Sequence, residues 1–253
     1  MKDTIYTIPL TDAFKAEDEC PFCFIARKLE QDSIAFTLGC SYMEDDIRSV
    51  TDKLGFCDAH YKKLYDYGNK LGLALILHTH YKSIYEDLLK ALDQTKLASP
   101  SFLQKLSKNK TATTSSPTSE AINSRTSSCY ICDRINKDMD RYINTFFYLI
   151  ANNAEFKQLF ITSKGFCLPH LSNLIDSAPL HLKEDQKEEF FNTSKTMVLE
   201  SLKRIEDDIS WFIDKYDYRN KNAPIKNSHD AIPRGIQKLS SIYVQDEPFK
   251  SSN

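Results

Sequence analysis

The chain has 253 residues, 41% hydrophobic and 27% charged, which suits one or two packed cores and excludes an intrinsically disordered chain. Its 33 Lys and Arg against 35 Asp and Glu leave a net charge of -2, so no global field draws it to nucleic acid or to an anionic membrane. The longest apolar runs, LGLALIL at 71–77 and FFYLIA at 146–151, fall far short of the ~20 residues a membrane-spanning helix needs.

The first twenty residues, MKDTIYTIPLTDAFKAEDEC, carry acids and polar groups where an export signal has its apolar stretch, so a cytoplasmic location is expected. Apolar residues then recur at helical spacing with almost no period-two alternation, which predicts an all-α fold. The first half, residues 1–92, offers helices at about 22–37, 43–54 and 58–67, then a longer one at about 69–92. Its stripe of Leu73, Ile76, Leu77, His80, Ile84 and Leu88 belongs to a core. Residues 93–128 read as a flexible linker, because 11 of the 18 residues from Thr111 to Ser128 are Ser or Thr and such a composition buries little apolar surface. One short helix is expected there, near 102–106. The second half, 129–220, offers helices at about 130–150, 153–163 and 168–177. A very long helix at about 183–216 follows, with Phe190, Val198, Leu202, Ile205, Ile209, Phe212 and Tyr216 on its apolar face. Residues 221–253 read as a C-terminal tail.

The two halves repeat a pattern. Cys20-Pro-Phe-Cys23 precedes Gly55-Phe-Cys57-Asp-Ala-His60, and Cys129-Tyr-Ile-Cys132 precedes Gly165-Phe-Cys167-Leu-Pro-His170. Six of the seven cysteines fall into this scheme. Each glycine suits a left-handed turn at the end of a helix. The cysteine after it falls at the start of the next helix, where the dipole favours a thiolate, and the histidine three residues on shares its face. Two sulfurs from C-x-x-C, plus one sulfur and one nitrogen from C-x-x-H, make the four ligands that tetrahedral zinc prefers. Taken in chain order, Cys20, Cys23, Cys57 and His60 hold one zinc ion, and Cys129, Cys132, Cys167 and His170 hold a second. The expected fold is two pseudo-repeated helical halves, each fastened by a Cys3His site and each closed by a long helix. Three thiolates and an imidazole leave no open position, so such sites are structural.

Rival readings of the same residues are an iron-sulfur cluster, a redox dithiol at CPFC and structural disulfides, which need an oxidising compartment. Cys40 has no partner in the scheme and reads as a small buried hydrophobe.

With these repeated pairs, SYMEDDIRSVTDKLGFCDAH, NKLGLALILHTHY and the late WFIDKYDYRN, the chain resembles a bacterial family of uncharacterised proteins found mostly in anaerobic Gram-positive bacteria. The resemblance covers nearly the whole chain apart from the linker. That family has no established activity, so the resemblance implies boundaries and no function.

Outside the cysteine scheme, His80 lies within a core stripe and reads first as a hydrogen-bonded core histidine, second as a ligand contact. Asp217, Arg219, His229, Asp230 and Arg234 gather where the chain leaves its last long helix; they read as ion pairs that dock a tail, or as an anion or partner site. No phosphate-cradling loop, nucleophile elbow or H-E-x-x-H is present. The expected function is a zinc-stabilised interaction or regulatory module with a protein partner. The alternatives are an iron-sulfur or thiol-based redox sensor, and an enzyme with its site near KYDYRN. Nucleic acid is not an expected partner; binding it would require Lys105, Lys108, Lys110 and Arg125 to share one face.

Overall fold

In a computed structural model of the chain, residues 5–95 and 116–244 are described. The helix expected near 102–106, and Lys105, Lys108 and Lys110, lie outside them. The described residues form eleven α-helices and three short 3-10 turns, with no strand among them. In order the helices are α1 (Thr7–Lys15), α2 (Pro21–Leu38), α3 (Asp45–Leu54), α4 (Asp58–Tyr67), α5 (Lys70–Gln94), α6 (Pro117–Thr126), α7 (Tyr130–Asn152), α8 (Ala154–Thr162), α9 (Leu168–His181), α10 (Glu184–Asp214) and α11 (Ala231–Ser240). Among the described residues, no helix is long and apolar enough to cross a membrane.

The chain divides into two compact units, and they are not its two halves. One comprises residues 5–30 and 135–244, the other residues 31–95 and 116–134. Both boundaries fall inside helices, α2 and α7. Each half of the sequence therefore contributes to both units, where residues 1–92 and 129–220 were expected to form one each.

The first unit is built on phenylalanine. Phe146 on α7 is fully buried and has seven other rings around it: Phe14, Phe22, Phe147, Phe156, Phe160, Phe166 and Phe190, with centroids 5.2–6.2 Å away. All but the Phe14 pair meet edge to face, the arrangement favoured by the ring quadrupole. The expected stripe of α10 is buried at Phe190, Val198 and Ile205 but ends early, because Tyr216 lies beyond the helix end and is exposed.

Helix α1 was not expected; its nine residues bury Leu10, Ala13 and Phe14 at i, i+3 and i+4 against this cluster. Helix α11 corrects the reading of residues 221–253 as a tail. It packs on α10, where a Cβ on Gly235 would come within 3.1 Å of Ile209 Cδ1.

In the second unit α5 packs against α3 and α6. Helix α6 corrects the linker reading, which composition alone suggested, over residues 117–126; residues 96–115 of that linker lie outside the described residues. Ser116 caps it by accepting from Ser119 N at 3.1 Å, and Pro117 occupies its first turn, where a proline costs no hydrogen bond. One residue fastens it. Arg125 donates to the Asp52 and Lys53 carbonyls at the end of α3 (2.9 and 2.5 Å), to Ser83 Oγ at 3.1 Å, and to the Asp87 carboxylate. Arginine here supplies the donors that the last carbonyls of a helix lack. It also holds the Asp87 carboxyl below its usual range. Cys40 is exposed and not a core residue: it sits between the end of α2 and the 3-10 turn Ser41–Met43, where the chain leaves the packed helix.

Candidate metal centres

The eight cysteine and histidine residues of the repeated motif assemble into two groups of four that could hold a metal ion, with the ligand atoms of each group within 4.8 Å of one another. Their membership corrects the chain-order pairing. Cys20 and Cys23 lie with Cys167 and His170, and Cys57 and His60 lie with Cys129 and Cys132. Spacing along the chain could not fix this, since either C-x-x-C offers the same ligands to either C-x-x-H. Packing decides it: Phe22, inside the first C-x-x-C, packs with its ring tilted against Phe166 at 5.8 Å and His170 at 5.9 Å. Phe56, ahead of Cys57, meets Tyr130 of the other C-x-x-C at 6.3 Å.

In the first unit, His170 Nδ1 is 3.0 Å from Cys167 Sγ, 3.4 Å from Cys23 Sγ and 3.5 Å from Cys20 Sγ, with Cys23 and Cys167 sulfurs 3.4 Å apart. In the second, His60 Nδ1 is 3.1 Å from Cys57, 3.3 Å from Cys129 and 3.4 Å from Cys132, and the sulfurs of Cys57 and Cys132 are 3.9 Å apart. These separations exclude disulfides, whose sulfurs lie about 2.05 Å apart. They lie within about 0.6 Å of the edges of a tetrahedron around one ion with bonds of about 2.3 Å to sulfur and about 2.05 Å to nitrogen, which are roughly 3.8 Å (S–S) and 3.6 Å (S–N).

The same local device makes all four ligand pairs. The first ligand stands immediately before a helix (α2, α4, α7 or α9) and the second three residues later, in its first turn. Cys57 and Cys167 are extended N-cap residues, and Cys167 Sγ accepts from His170 N at 3.5 Å. Cys129 Sγ likewise accepts from Cys132 N at 3.5 Å. Each quartet is thus faced by two helix N-termini, whose free N–H groups and dipoles favour anionic sulfur.

The turns before the C-x-x-H pairs need glycine. Gly55 has φ +57° and Gly165 φ +79°, and a Cβ at Gly55 would lie 2.7 Å from His80 Nε2. His80 is buried, donates from Nδ1 to the Asp52 carbonyl at 2.9 Å, and buttresses this turn. Tyr130 N donates to Gly55 O at 2.9 Å and Ser128 Oγ to Leu54 O at 2.7 Å, joining the two ligand-bearing segments of the second unit directly.

On protein groups alone, three crowded sulfurs cannot all carry charge. In the first unit, hydrogen bonds from Cys20 and Cys23 draw Cys167 down to about 4, while Cys167, then Cys20 and burial, push Cys23 upward. In the second, burial opposes ionisation of Cys129, yet His60 and the N–H groups around it bring it down to about 6. Burial and then Cys129 push Cys132 up. A divalent cation removes this conflict by compensating all three thiolates together.

Residues that the motif did not flag surround the first quartet. Lys238 on α11 is fully buried and donates to Glu19 O at 2.6 Å and Lys164 O at 2.9 Å, bridging the segments that lead to Cys20 and to Cys167. The Glu19 carboxylate, also buried, pairs with Arg204 at 2.6 Å and lies 3.5 Å from Lys238. Asp18 accepts from Cys20 N (2.9 Å), Gln237 (2.5 Å) and Tyr243 (2.8 Å). Burial pushes the Lys238 ammonium down and the Tyr243 phenol up. The one sequence signal for these partners was the apolar spacing within AIPRGIQKLS, too short to single out.

The other candidate residues do not form one cluster. Asp217 caps the 3-10 turn Tyr218–Asn220 and pairs locally with Arg219 at 2.6 Å in an exposed position. His229 is exposed and 3.9 Å from Asp230. Arg234 instead enters the buried network, with Asp230 at 2.8 Å, Asp208 at 3.0 Å and Glu19 at 3.8 Å.

The chain belongs to a family of unknown function, DUF6062, whose model matches residues 1–246. No curated protein and no solved structure matches it.

Two outcomes follow from this geometry. In the double variant Cys57→Ser/Cys132→Ser, elemental analysis will find one ion lost per chain, because both residues serve one quartet; chain-order pairing requires the loss of two. Lys238→Met, which strips Glu19 of a buried charge partner and two carbonyls of their donor, will lower the unfolding free energy by about 3 kcal/mol, read as a shift in urea midpoint.

Proposed function

We propose that the chain is a zinc-stabilised helical module that holds one structural zinc ion in each quartet and works in the cytoplasm by engaging a protein partner. The supporting observation is the closed geometry: three sulfurs and one Nδ1 spaced for a single tetrahedral ion, twice. Sulfur-rich tetrahedral sets select zinc over harder cations such as magnesium or calcium. With four protein ligands per ion, no position is left for substrate, so the metal acts on the fold. Ligand atoms within 4.8 Å of one another leave room for one ion and crowd out the several irons and sulfides of a cluster, which favours zinc over an iron-sulfur sensor. The free state of the cysteines suits a reducing compartment.

Metal analysis of protein purified without added metal tests this: a colourless sample with about two zinc ions per chain is expected, and brown, iron-containing protein contradicts it. Binding requires deprotonated thiols, so the loaded state holds fewer protons than the free one and affinity falls as pH falls. Zinc will leave on acidification from pH ~7 towards pH ~4, and helical circular dichroism will fall with it, because binding energy here is folding energy.

A further inference from the structure

The two quartets differ in what can reach them. Cys20, Cys23 and Cys167 are each no more than 1% exposed and lie within the phenylalanine cluster. In the second quartet Cys129 is buried, but Cys57 and Cys132 are only half-buried. Cys57 also stands in the wall of a cavity of about 470 Å³, lined by Phe56, Tyr61, Ile84, Leu88 and Ile122, a size that takes a small organic molecule. His80 and Arg125 share that wall, yet both are already held by the end of α3, His80 through the Asp52 carbonyl and Arg125 through the Asp52 and Lys53 carbonyls. Asp58, the acid in the lining, is exposed and repels an anion. The cavity therefore suits an uncharged, mainly apolar guest. Such a guest lies beside one thiolate with a second close by, since the sulfurs of Cys57 and Cys132 are 3.9 Å apart. One sulfur suffices to react with an alkylating electrophile, whereas a second within reach is what resolves a sulfenic acid.

Given a zinc ion in each quartet, the reading on which this rests, we propose that the second quartet senses uncharged organic hydroperoxides, which enter by this cavity, oxidise Cys57 and Cys132 and release that quartet's ion, while the first quartet keeps its own. The Cys57 thiolate attacks the terminal oxygen of the hydroperoxide. The O–O bond breaks, the alkoxide leaves and takes a proton from solvent, and Cys57 becomes a sulfenic acid. The Cys132 thiolate then attacks the Cys57 sulfur; the S–O bond breaks, and hydroxide leaves and is protonated to water. In sum, two thiolates, one hydroperoxide and two protons give one disulfide, one alcohol and one water, with the sulfurs oxidised and the peroxide oxygens reduced. Cys129 and His60 remain, two ligands where zinc takes four. Because binding energy is folding energy in such sites, the second unit loosens when they are all that is left.

Zinc release from the loaded full chain on adding cumene hydroperoxide, followed with a chromogenic chelator and with peptide mass spectrometry, tests this. One of the two ions should leave, about tenfold or more faster than the other. The new disulfide should join Cys57 to Cys132, with Cys20, Cys23 and Cys167 still thiols. Ile122→Trp, at a cavity position 43% exposed and so tolerant of added size, should load two ions and slow release by cumene hydroperoxide severalfold, while release by the much smaller hydrogen peroxide stays unchanged. Retention of both ions, loss of both at one rate, a disulfide in the first quartet, or equal slowing of the two peroxides by Ile122→Trp would each overturn the proposal and leave the zinc reading standing. A wild type that never loads two zinc ions would sink both.

Discussion

The arrangement of this protein depends on two clusters of sulfur and nitrogen that bring remote segments of chain to one point. Cys20 and His170 stand 150 positions apart, and Cys57 and Cys132 stand 75 apart. Ordering such contacts costs loop entropy that grows only slowly with length. A metal-ligand set recovers that cost at a single point, where a diffuse apolar contact would need a large buried area. The rest of the architecture follows from meeting that constraint twice. Four helices begin at the ligands, so their positive ends converge in pairs on charge that would otherwise repel itself.

The two quartets are built reciprocally, the C-x-x-C of each half meeting the C-x-x-H of the other. Each is supported differently. The first is wrapped by a phenylalanine cluster and by a buried ionic network in which Lys238 spans the two ligand-bearing segments. The second is joined by direct backbone pairing between Tyr130 and Gly55, with His80 wedged against the glycine turn and Arg125 closing the end of α3. In both, the outer partners fix the backbone of the ligand turns, which sets the direction of the sulfurs before any ion arrives.

Much of this was legible in the sequence because it is local. Helices α2 to α5 and α7 to α10 fall where apolar spacing put them, to within a few residues. The eight Cys and His residues stood out because C-x-x-C and C-x-x-H place two ligands in one helical turn. The pairing was not legible, since it depends on which aromatic residues, remote in the chain, pack together: Phe22 with Phe166 and Phe56 with Tyr130. Three helices were missed for separate reasons. α1 has a single turn's worth of buried residues, α6 is concealed by Ser and Thr that serve as cap and surface, and α11 carries a lysine at a fully buried position. Lys238 is polar by type but buried by role.

The most direct test is NMR of the protein loaded with magnetically active cadmium, which reads through-bond couplings from each ion to its own ligands. Two cadmium signals should appear, one coupled to Cys20, Cys23, Cys167 and His170, the other to Cys57, His60, Cys129 and Cys132. A signal coupled to both Cys23 and Cys57, or no coupling to these residues at all, would contradict the account.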